Sequence, residues 1–403
     1  MKKYFSFLIY LSALSAMLFG TTACHKDEPN NPADEEPKRK MTVLLYAVVA
    51  DLDLESDKSE ILAGAADVDL EENSLFVYQV YRQGLPQLLE LTRDLEGNPE
   101  FQVVKVYDRE EYSTDPKRIS AVIDDVLTMG EAQDYGLIFW SHGTGWSPSF
   151  SNHGEETRGG SNEVSLPSVS SFGTDTDVER DPYYTDKTDI DELADAIPDN
   201  TFRYIWFDVC YMGGIETVYQ LRNKCEYFIG MPTEDAGNGM PYHLTIPYLL
   251  KEDPDCVAAA KEFFTYYETG QDSGWAVATV GVYYTPAIEP VADYCKIAYA
   301  DAEMPTSYGL QVYSRGKNGP FYDFGQYTRR VVALSPNALP IEEFEDVMDK
   351  FVIYKAATKY DFANREIIQE NYSGLSCHLY NPAADDNATA YYRSLDWYKR
   401  VYE

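Results

Sequence analysis

The chain has 403 residues and a formal net charge of −34, from 67 acidic and 33 basic side chains. This excess of acid disfavours nucleic acid or an anionic membrane surface as a partner, because binding to phosphates needs clustered Lys and Arg. The length allows one large α/β domain, or one domain with an accessory region.

The N-terminus has the pattern of a secretory signal peptide. A short basic end precedes an apolar run from Phe5 to Phe19, and small residues then lead to Cys24. The apolar run is too short for a comfortable membrane span. The small residues before the Cys resemble a bacterial lipoprotein box, although Thr21 stands where a Leu-like residue is usual. We therefore expect residues 1–23 to be removed and Cys24 to be lipidated.

Residues 24–40 are polar and rich in Pro, which predicts a disordered tether. The Lys-Asp-Glu directly behind the Cys resembles the export signal of surface lipoproteins in Bacteroides-like bacteria. We expect an exported outer-membrane lipoprotein of a Gram-negative bacterium, exposed at the cell surface.

Residues 41–403 alternate strand and helix patterns, which predicts a three-layer α/β fold with a mostly parallel central sheet flanked by helices. The predicted strands are 41–50, 74–82, 101–108, 135–141, 202–209 and 227–232, with strand-like pieces at 275–283 and 375–380. The predicted helices are 116–129, 190–197, 213–222, 255–269, 288–300 and 341–358. The catalytic core is expected to end near residue 285, followed by a less regular accessory region over 286–403.

A long loop interrupts this alternation between Ser147 and Asp189. It is rich in Ser, Gly, Asn and Asp and has almost no apolar periodicity. Loops of this length inside a compact domain are uncommon and are often functional or disordered.

Two predicted strands end in residues that could do chemistry, namely His142 and Cys210. The carboxyl ends of parallel strands line the ligand crevice of such sheets, so a thiolate and an imidazole could meet there. The backbone N–H groups of Gly143 and Cys210 are candidates for an oxyanion hole. From composition alone, a small buried core Cys and a His in a turn are the alternatives to catalysis, and composition favours them.

The segments "SHGTGW" (141–146) and "FDVCYMGGIETVYQL" (207–221) resemble the two catalytic signatures of the clostripain family of cysteine peptidases. That family shares the caspase-like fold with gingipains, legumains and caspases, and the resemblance covers about 41–382. It implies that Cys210 is the nucleophile and His142 its partner, without an assigned third residue. Val209 departs from the Ala usual in the family pattern and leaves the chemistry intact.

The resemblance also implies cleavage of protein or peptide substrates after Arg or Lys. It assigns Asp208, two residues before the Cys, to the basic side chain of the substrate, because a carboxylate pairs with guanidinium by charge-assisted hydrogen bonds. Asp235 is a second candidate for the same pocket. The alternative for Asp208 is a strand-end carboxylate that caps the next helix.

Several relatives cleave themselves at a basic residue between the His and the Cys, where this chain has Arg158, Arg180 and Lys187. Arg158 is our preferred self-cleavage site, because Gly, Ser and Asn around it keep the backbone accessible. A solvated loop Arg is the alternative.

No cofactor is needed for the chemistry that the resemblance implies. Clostripain itself requires calcium, so calcium binding stays open here. The acidic stretch 174–181 lacks the ordered spacing of an EF-hand loop, so we assign no metal ligands. His153 and His243 lack partners at the spacing of zinc ligands.

Two other functions are alternatives to the peptidase. A lipoprotein that uses a catalytically idle caspase-like scaffold for binding or adhesion stays open. A serine hydrolase that uses Ser141 is disfavoured, because adjacent residues of a strand point to opposite faces and Ser141 cannot easily pair with His142. We expect a monomer in either case.

Overall fold

Strands and helices alternate through most of the chain in the computed structural model. The model describes residues 38–148, 171–181, 183–235, 238–271, 273–313, 321–337 and 339–403. Cys24 and Arg158, predicted to be the lipidation and self-cleavage sites, lie outside these residues. Lys38–Glu403 form one compact unit.

The strands, in chain order, are β1 Arg39–Val48, β2 Asn73–Val80, β3 Gln87–Arg93, β4 Pro99–Val106, β5 Ala132–Trp140, β6 Phe172–Asp175, β7 Asp186–Thr188, β8 Phe202–Asp208, β9 Cys225–Gly230, β10 Thr279–Tyr284, β11 Tyr322–Asp323, β12 Val352–Ala357 and β13 Ser376–Cys377. The α-helices are α1 Leu54–Gly64, α2 Pro116–Met129, α3 Ile190–Ala196, α4 Ile215–Gln220, α5 Tyr242–Leu249, α6 Cys256–Glu268, α7 Ile288–Tyr299, α8 Phe324–Leu334, α9 Ile341–Phe351, α10 Asn387–Ser394 and α11 Asp396–Tyr402. A 3₁₀ turn covers Thr285–Ala287.

The main sheet has the strand order β12-β10-β9-β8-β5-β1-β2-β3-β4. Its central strands, β9 to β2 in that order, are parallel, and antiparallel strands extend it at both margins. Because the parallel strands all run the same way, their carboxyl ends meet along one edge of the sheet.

Strand β1 shows why this sheet is covered on both faces. Leu44, Tyr46 and Val48 point into one hydrophobic core, while Val43 and Leu45 point into the other. All of them are at most 1% exposed. A strand that alternates between two dry faces must lie between two layers of helices. The predicted three-layer α/β fold is therefore confirmed.

Helices of both layers are anchored to the sheet by apolar residues. Helices α1, α5 and α6 supply residues such as Ile61, Ile246 and Phe263 to one core. Helices α2, α4 and α7 supply Val122, Val218 and others to the opposite core, together with much of the C-terminal part of the chain. No helix among the described residues is both long and apolar enough to cross a membrane.

The predicted helix over 341–358 is wrong in its second half. Helix α9 ends at Phe351, and Val352–Ala357 form strand β12 instead. This stretch pairs antiparallel with β10 through Val280 and Gly281. Its sequence, VIYKAA, contains β-branched and aromatic residues that suit a strand, and pairing at the sheet margin decides its conformation.

Candidate active site

His142 and Cys210 follow two adjacent parallel strands at the same position. Strands β5 and β8 pair in register, with Trp140 opposite Asp208. Each candidate lies two residues beyond this pair, His142 after β5 and Cys210 after β8. Sheet pairing therefore delivers the imidazole and the thiol to neighbouring points of one edge, as the sequence predicts.

A third side chain, which the sequence reasoning did not assign, contacts the imidazole. Nε2 of His142 lies 2.9 Å from Oδ1 of Asp51. Asp51 follows β1, the strand that pairs with β5 on its other side. The hydrogen bond with His142 is the largest cause that lowers the pKa of Asp51 below its usual value. The same carboxyl-edge rule that singled out His142 would have pointed to this acidic residue.

The contact with Asp51 also determines which ring nitrogen of His142 carries the proton. A carboxylate accepts hydrogen bonds, so Nε2 of His142 carries the proton and donates it to Asp51. The neutral ring then has its lone pair on Nδ1. Nδ1 is thus the ring nitrogen that can accept a proton.

The backbone at Gly143 is packed too closely to carry a side chain. A Cβ at this position would lie 2.3 Å from Cγ1 of Val209 and 2.7 Å from the Ser171 carbonyl oxygen. It would also lie 3.5 Å from the carbonyl oxygen of Cys210. Only glycine allows the strand ends that carry His142 and Cys210 to approach this closely.

The thiol of Cys210 is partly exposed and accepts a hydrogen bond at the sulfur. The backbone N–H of Asp235 donates it, with a nitrogen-to-sulfur distance of 3.3 Å. A hydrogen bond donated to sulfur stabilises the thiolate relative to the thiol.

The residue after the nucleophile candidate has an unusual backbone conformation. Tyr211 has φ of 63°, a left-handed conformation that is uncommon for residues other than glycine. Its ring stacks on Phe321, with centroids 4.7 Å apart and planes 11° apart, and its N–H donates to the Thr233 carbonyl. These contacts hold the turn that presents Cys210 in place.

Asp208 is buried directly beneath the edge and is 4% exposed. Its Oδ2 accepts hydrogen bonds from the Met240 N–H at 3.0 Å and the Tyr242 hydroxyl at 2.9 Å. Burial is the largest cause that raises the pKa of Asp208, and a side-chain hydrogen bond with Asp235 opposes it. The structure thus brings Asp208 and Asp235 together.

A further acidic residue, Asp57 of α1, lies behind this pair and was not predicted. It is 5% exposed. Burial raises the pKa of Asp57 to about 8, and the charge of Asp208 acts in the same direction. Asp57 can stay buried because its carboxyl is neutral at pH 7.

Ser141 lies away from this chemistry. Its hydroxyl donates to the Val48 carbonyl at 2.8 Å, and the residue is 5% exposed. The argument against a serine nucleophile therefore agrees with its position. Among the described residues, no group of three or more His, Cys, Asp or Glu side chains could hold a metal ion.

Two basic residues of the long loop are within the described part of the chain. Arg180 donates to the Glu110 carbonyl and lies over the ring of Tyr112, with its guanidinium carbon 5.1 Å from the ring centroid. Lys187 belongs to β7, and burial is the main cause that lowers its pKa. Both residues are held by structure, whereas a protease needs an extended and accessible segment.

The fold resembles solved cysteine proteases over almost its whole length. A secreted C11 cysteine protease from Bacteroides thetaiotaomicron, solved with an irreversible peptide inhibitor, superposes with a TM-score of 0.73 at 23% identity, covering 90% of this chain and 98% of that one. An inactive zymogen C11 protease from Parabacteroides distasonis gives a TM-score of 0.73 at 26% identity, covering 92% and 100%. By fold, the chain is in the class of caspase-like α/β cysteine proteases.

The sequence itself gives the family. Residues 53–401 match the model of the clostripain family. No curated protein matches the chain. Because the match covers most of the chain, the chain belongs to the clostripain family of cysteine peptidases, which act on peptides or proteins.

Proposed function

We propose that this peptidase cuts after Arg or Lys with Cys210 as nucleophile and His142 as proton carrier. His142 takes the thiol proton through Nδ1, and the thiolate attacks the carbonyl carbon of the scissile bond. The N–H groups of Gly143 and Cys210 receive the oxyanion. His142 then gives its proton to the leaving amine, which leaves the acyl part of the substrate bound to Cys210 as a thioester. Water hydrolyses this thioester, which frees the acyl fragment as a carboxylic acid and restores the thiol.

The observation that carries the proposal is the pair of Asp208 and Asp235 beside the thiol. The Asp235 N–H contacts the sulfur, and its side chain is hydrogen-bonded to Asp208. A guanidinium or ammonium bound between these two carboxyl groups would make charge-assisted hydrogen bonds to them. The burial of the Asp208 carboxyl group makes a neutral side chain a poor substitute.

The same pocket supports a precursor that needs activation. Asp208 is 4% exposed, and a Cβ at Gly239 would lie only 3.0 Å from its Oδ2. The segment at Gly239 thus covers the carboxylate and must shift before a substrate reaches it. We propose that cleavage after Arg158 accompanies this opening. The inactive zymogen form of the Parabacteroides distasonis relative supports such a precursor.

Export, removal of residues 1–23, a tether over 24–40 and lipidation of Cys24 complete the proposal. The N-terminal sequence supports them, and the secreted relative from Bacteroides thetaiotaomicron is consistent with export. The enzyme would then act at the outer membrane through a lipid anchor, with its peptidase domain facing its substrates.

Matched fluorogenic peptides that end in Arg, Lys or Gln before the reporter test the specificity. Hydrolysis of the Arg and Lys peptides is expected to exceed that of the Gln peptide by at least about a hundredfold, because a buried charge-assisted pair contributes several kcal/mol. Asp208→Asn and Asp235→Asn should each reduce this preference. Equal turnover of all three peptides would contradict the proposed pocket.

N-terminal sequencing of the purified protein beside Cys210→Ala tests self-cleavage. A new terminus at Gly159 in the active protein alone is expected. The same terminus in both proteins would show that another protease makes the cut.

A further inference from the structure

An exposed aromatic pair lies at the same edge of the sheet as the candidate active site. Trp275 precedes β10 and is 47% exposed, which is unusual for so large a side chain. Its ring stacks on Phe362, which follows β12, with centroids 5.3 Å apart and planes 22° apart.

The order of the strands fixes where this pair lies relative to the thiol. Strands β10 and β12 are antiparallel to β9, so the start of β10 and the end of β12 reach the edge that carries Cys210. Strand β10 is two strands away from β8, and β12 is three away. At about 4.8 Å per strand, the aromatic pair lies roughly 10–15 Å along the edge from the nucleophile.

Hydrogen bonds connect the aromatic pair to the loop that carries Asp235. The Asn238 side-chain amide donates to the Ser273 carbonyl at 2.9 Å, two residues before Trp275. The Ser273 hydroxyl in turn donates to the Trp275 carbonyl at 2.7 Å. On the far side of the loop, the Thr233 N–H donates to Oγ1 of Thr279 at 3.2 Å. The two loops thus form one continuous surface.

The positions of the reacting groups set the direction of the peptide. His142 must protonate the leaving amine, so the residues after the cut lie on the β5 side of Cys210. The basic side chain before the cut reaches towards Asp208, at the end of β8, and towards Asp235, which follows β9. The residues further towards the substrate N-terminus therefore continue over β9 and β10, which leads them to Trp275.

We propose that Trp275 and Phe362 form a subsite for an apolar side chain at the third or fourth residue before the scissile bond, counting the Arg or Lys as the first. An extended peptide advances about 3.3 Å per residue, so three or four residues span the distance to the pair. This inference rests on the proposed function. An aromatic face that stays half exposed without substrate gains contact area when an apolar side chain covers it.

The test uses two peptides that share Ala-Arg before a fluorogenic reporter and carry either Phe-Phe or Ala-Ala at the two preceding positions. The native enzyme is expected to cleave the Phe-Phe peptide with a kcat/KM about tenfold higher. In Trp275→Ala the ratio should fall below about twofold, and Trp275→Phe should restore most of it. Leu95→Ala, which removes an exposed apolar side chain in the turn between β3 and β4 at the other margin of the sheet, should leave the ratio unchanged.

A ratio near one in the native enzyme, or an undiminished ratio in Trp275→Ala, would overturn the subsite while leaving the Arg specificity intact. Failure of the native enzyme to cleave either peptide would instead overturn the proposed function, and the subsite with it.

Discussion

The carboxylate of Asp51 accepts a hydrogen bond from Nε2 of His142, with 2.9 Å between the two atoms. The contact joins the ends of β1 and β5, two strands that pair in parallel. In the proposed mechanism Asp51 acts through the imidazole that it contacts: it selects the tautomer that presents the Nδ1 lone pair, and it stabilises the imidazolium once formed.

Asp51→Ala is expected to lower kcat by about tenfold or more with little change in KM, because the substrate does not contact this carboxylate. The pH profile of kcat should also differ from that of the native enzyme, because the variant lacks the carboxylate charge that the hydrogen bond with His142 favours. Asp51→Asn keeps the hydrogen-bond acceptor without the charge and should retain part of kcat. The side chains of His142 and Asp51 are 39% and 69% exposed. A purely structural role of Asp51 predicts an unchanged pH profile in both variants.

Gly143→Ala is expected to lower kcat by about a hundredfold, because a misplaced oxyanion donor costs on that order. The added methyl would lie 2.3 Å from Cγ1 of Val209, which forces the backbone away from the strand end. The double variant Gly143→Ala with Val209→Ala removes that contact and should recover part of the loss. Steady-state kinetics of these two variants beside the native enzyme check this, and full activity in Gly143→Ala would exclude a tight strand junction.

The buried acid Asp57 predicts a stability that falls with rising pH. The unfolded state releases this proton near pH 4, whereas the folded state holds it until about pH 8. Between those values the folded state binds more protons, so each pH unit costs up to about 1.4 kcal/mol of the free energy of unfolding. Asp57→Asn should remove this slope.

Urea unfolding at several values between pH 5 and 9 measures the effect of Asp57→Asn. The variant should gain stability over the native chain up to about pH 8 and keep a constant advantage above it. Parallel stability curves across the range would mean that Asp57 titrates normally, and the carboxyl would then not be buried next to Asp208 in solution.

Much of this arrangement can be predicted from the sequence, for a definite reason. The parallel strands have continuous apolar runs, and their carboxyl ends must share one edge of the sheet. The sequence therefore predicts that His142 and Cys210 lie close together at this edge. The resemblance then added Asp208, and the position of the loop after the next strand added Asp235, whose side chain interacts with that of Asp208.

The residues that were missed depend on tertiary packing. Asp57 lies on α1, whose sequence LESDKSEILAG has too weak an apolar periodicity to predict a helix, so its burial follows only from docking on the sheet. The residues of β12 were predicted to continue the helix that precedes them. The helix ends before β12 because these residues pair with β10. The position of Asp51 after β1 could have been predicted, because the carboxyl ends of parallel strands share one edge of the sheet. The resemblance implied a Cys-His dyad without a third residue, so Asp51 was not assigned.

Covalent labelling with an irreversible peptide inhibitor that ends in Arg, beside a matched inhibitor that ends in Gln, tests the central claim most directly. Peptide mapping by mass spectrometry should place the Arg-directed label on Cys210, with little labelling by the Gln inhibitor and none in Cys210→Ala. Labelling of another cysteine, or equal labelling of Cys210 by both inhibitors, would contradict an Arg-directed thiol at this edge of the sheet.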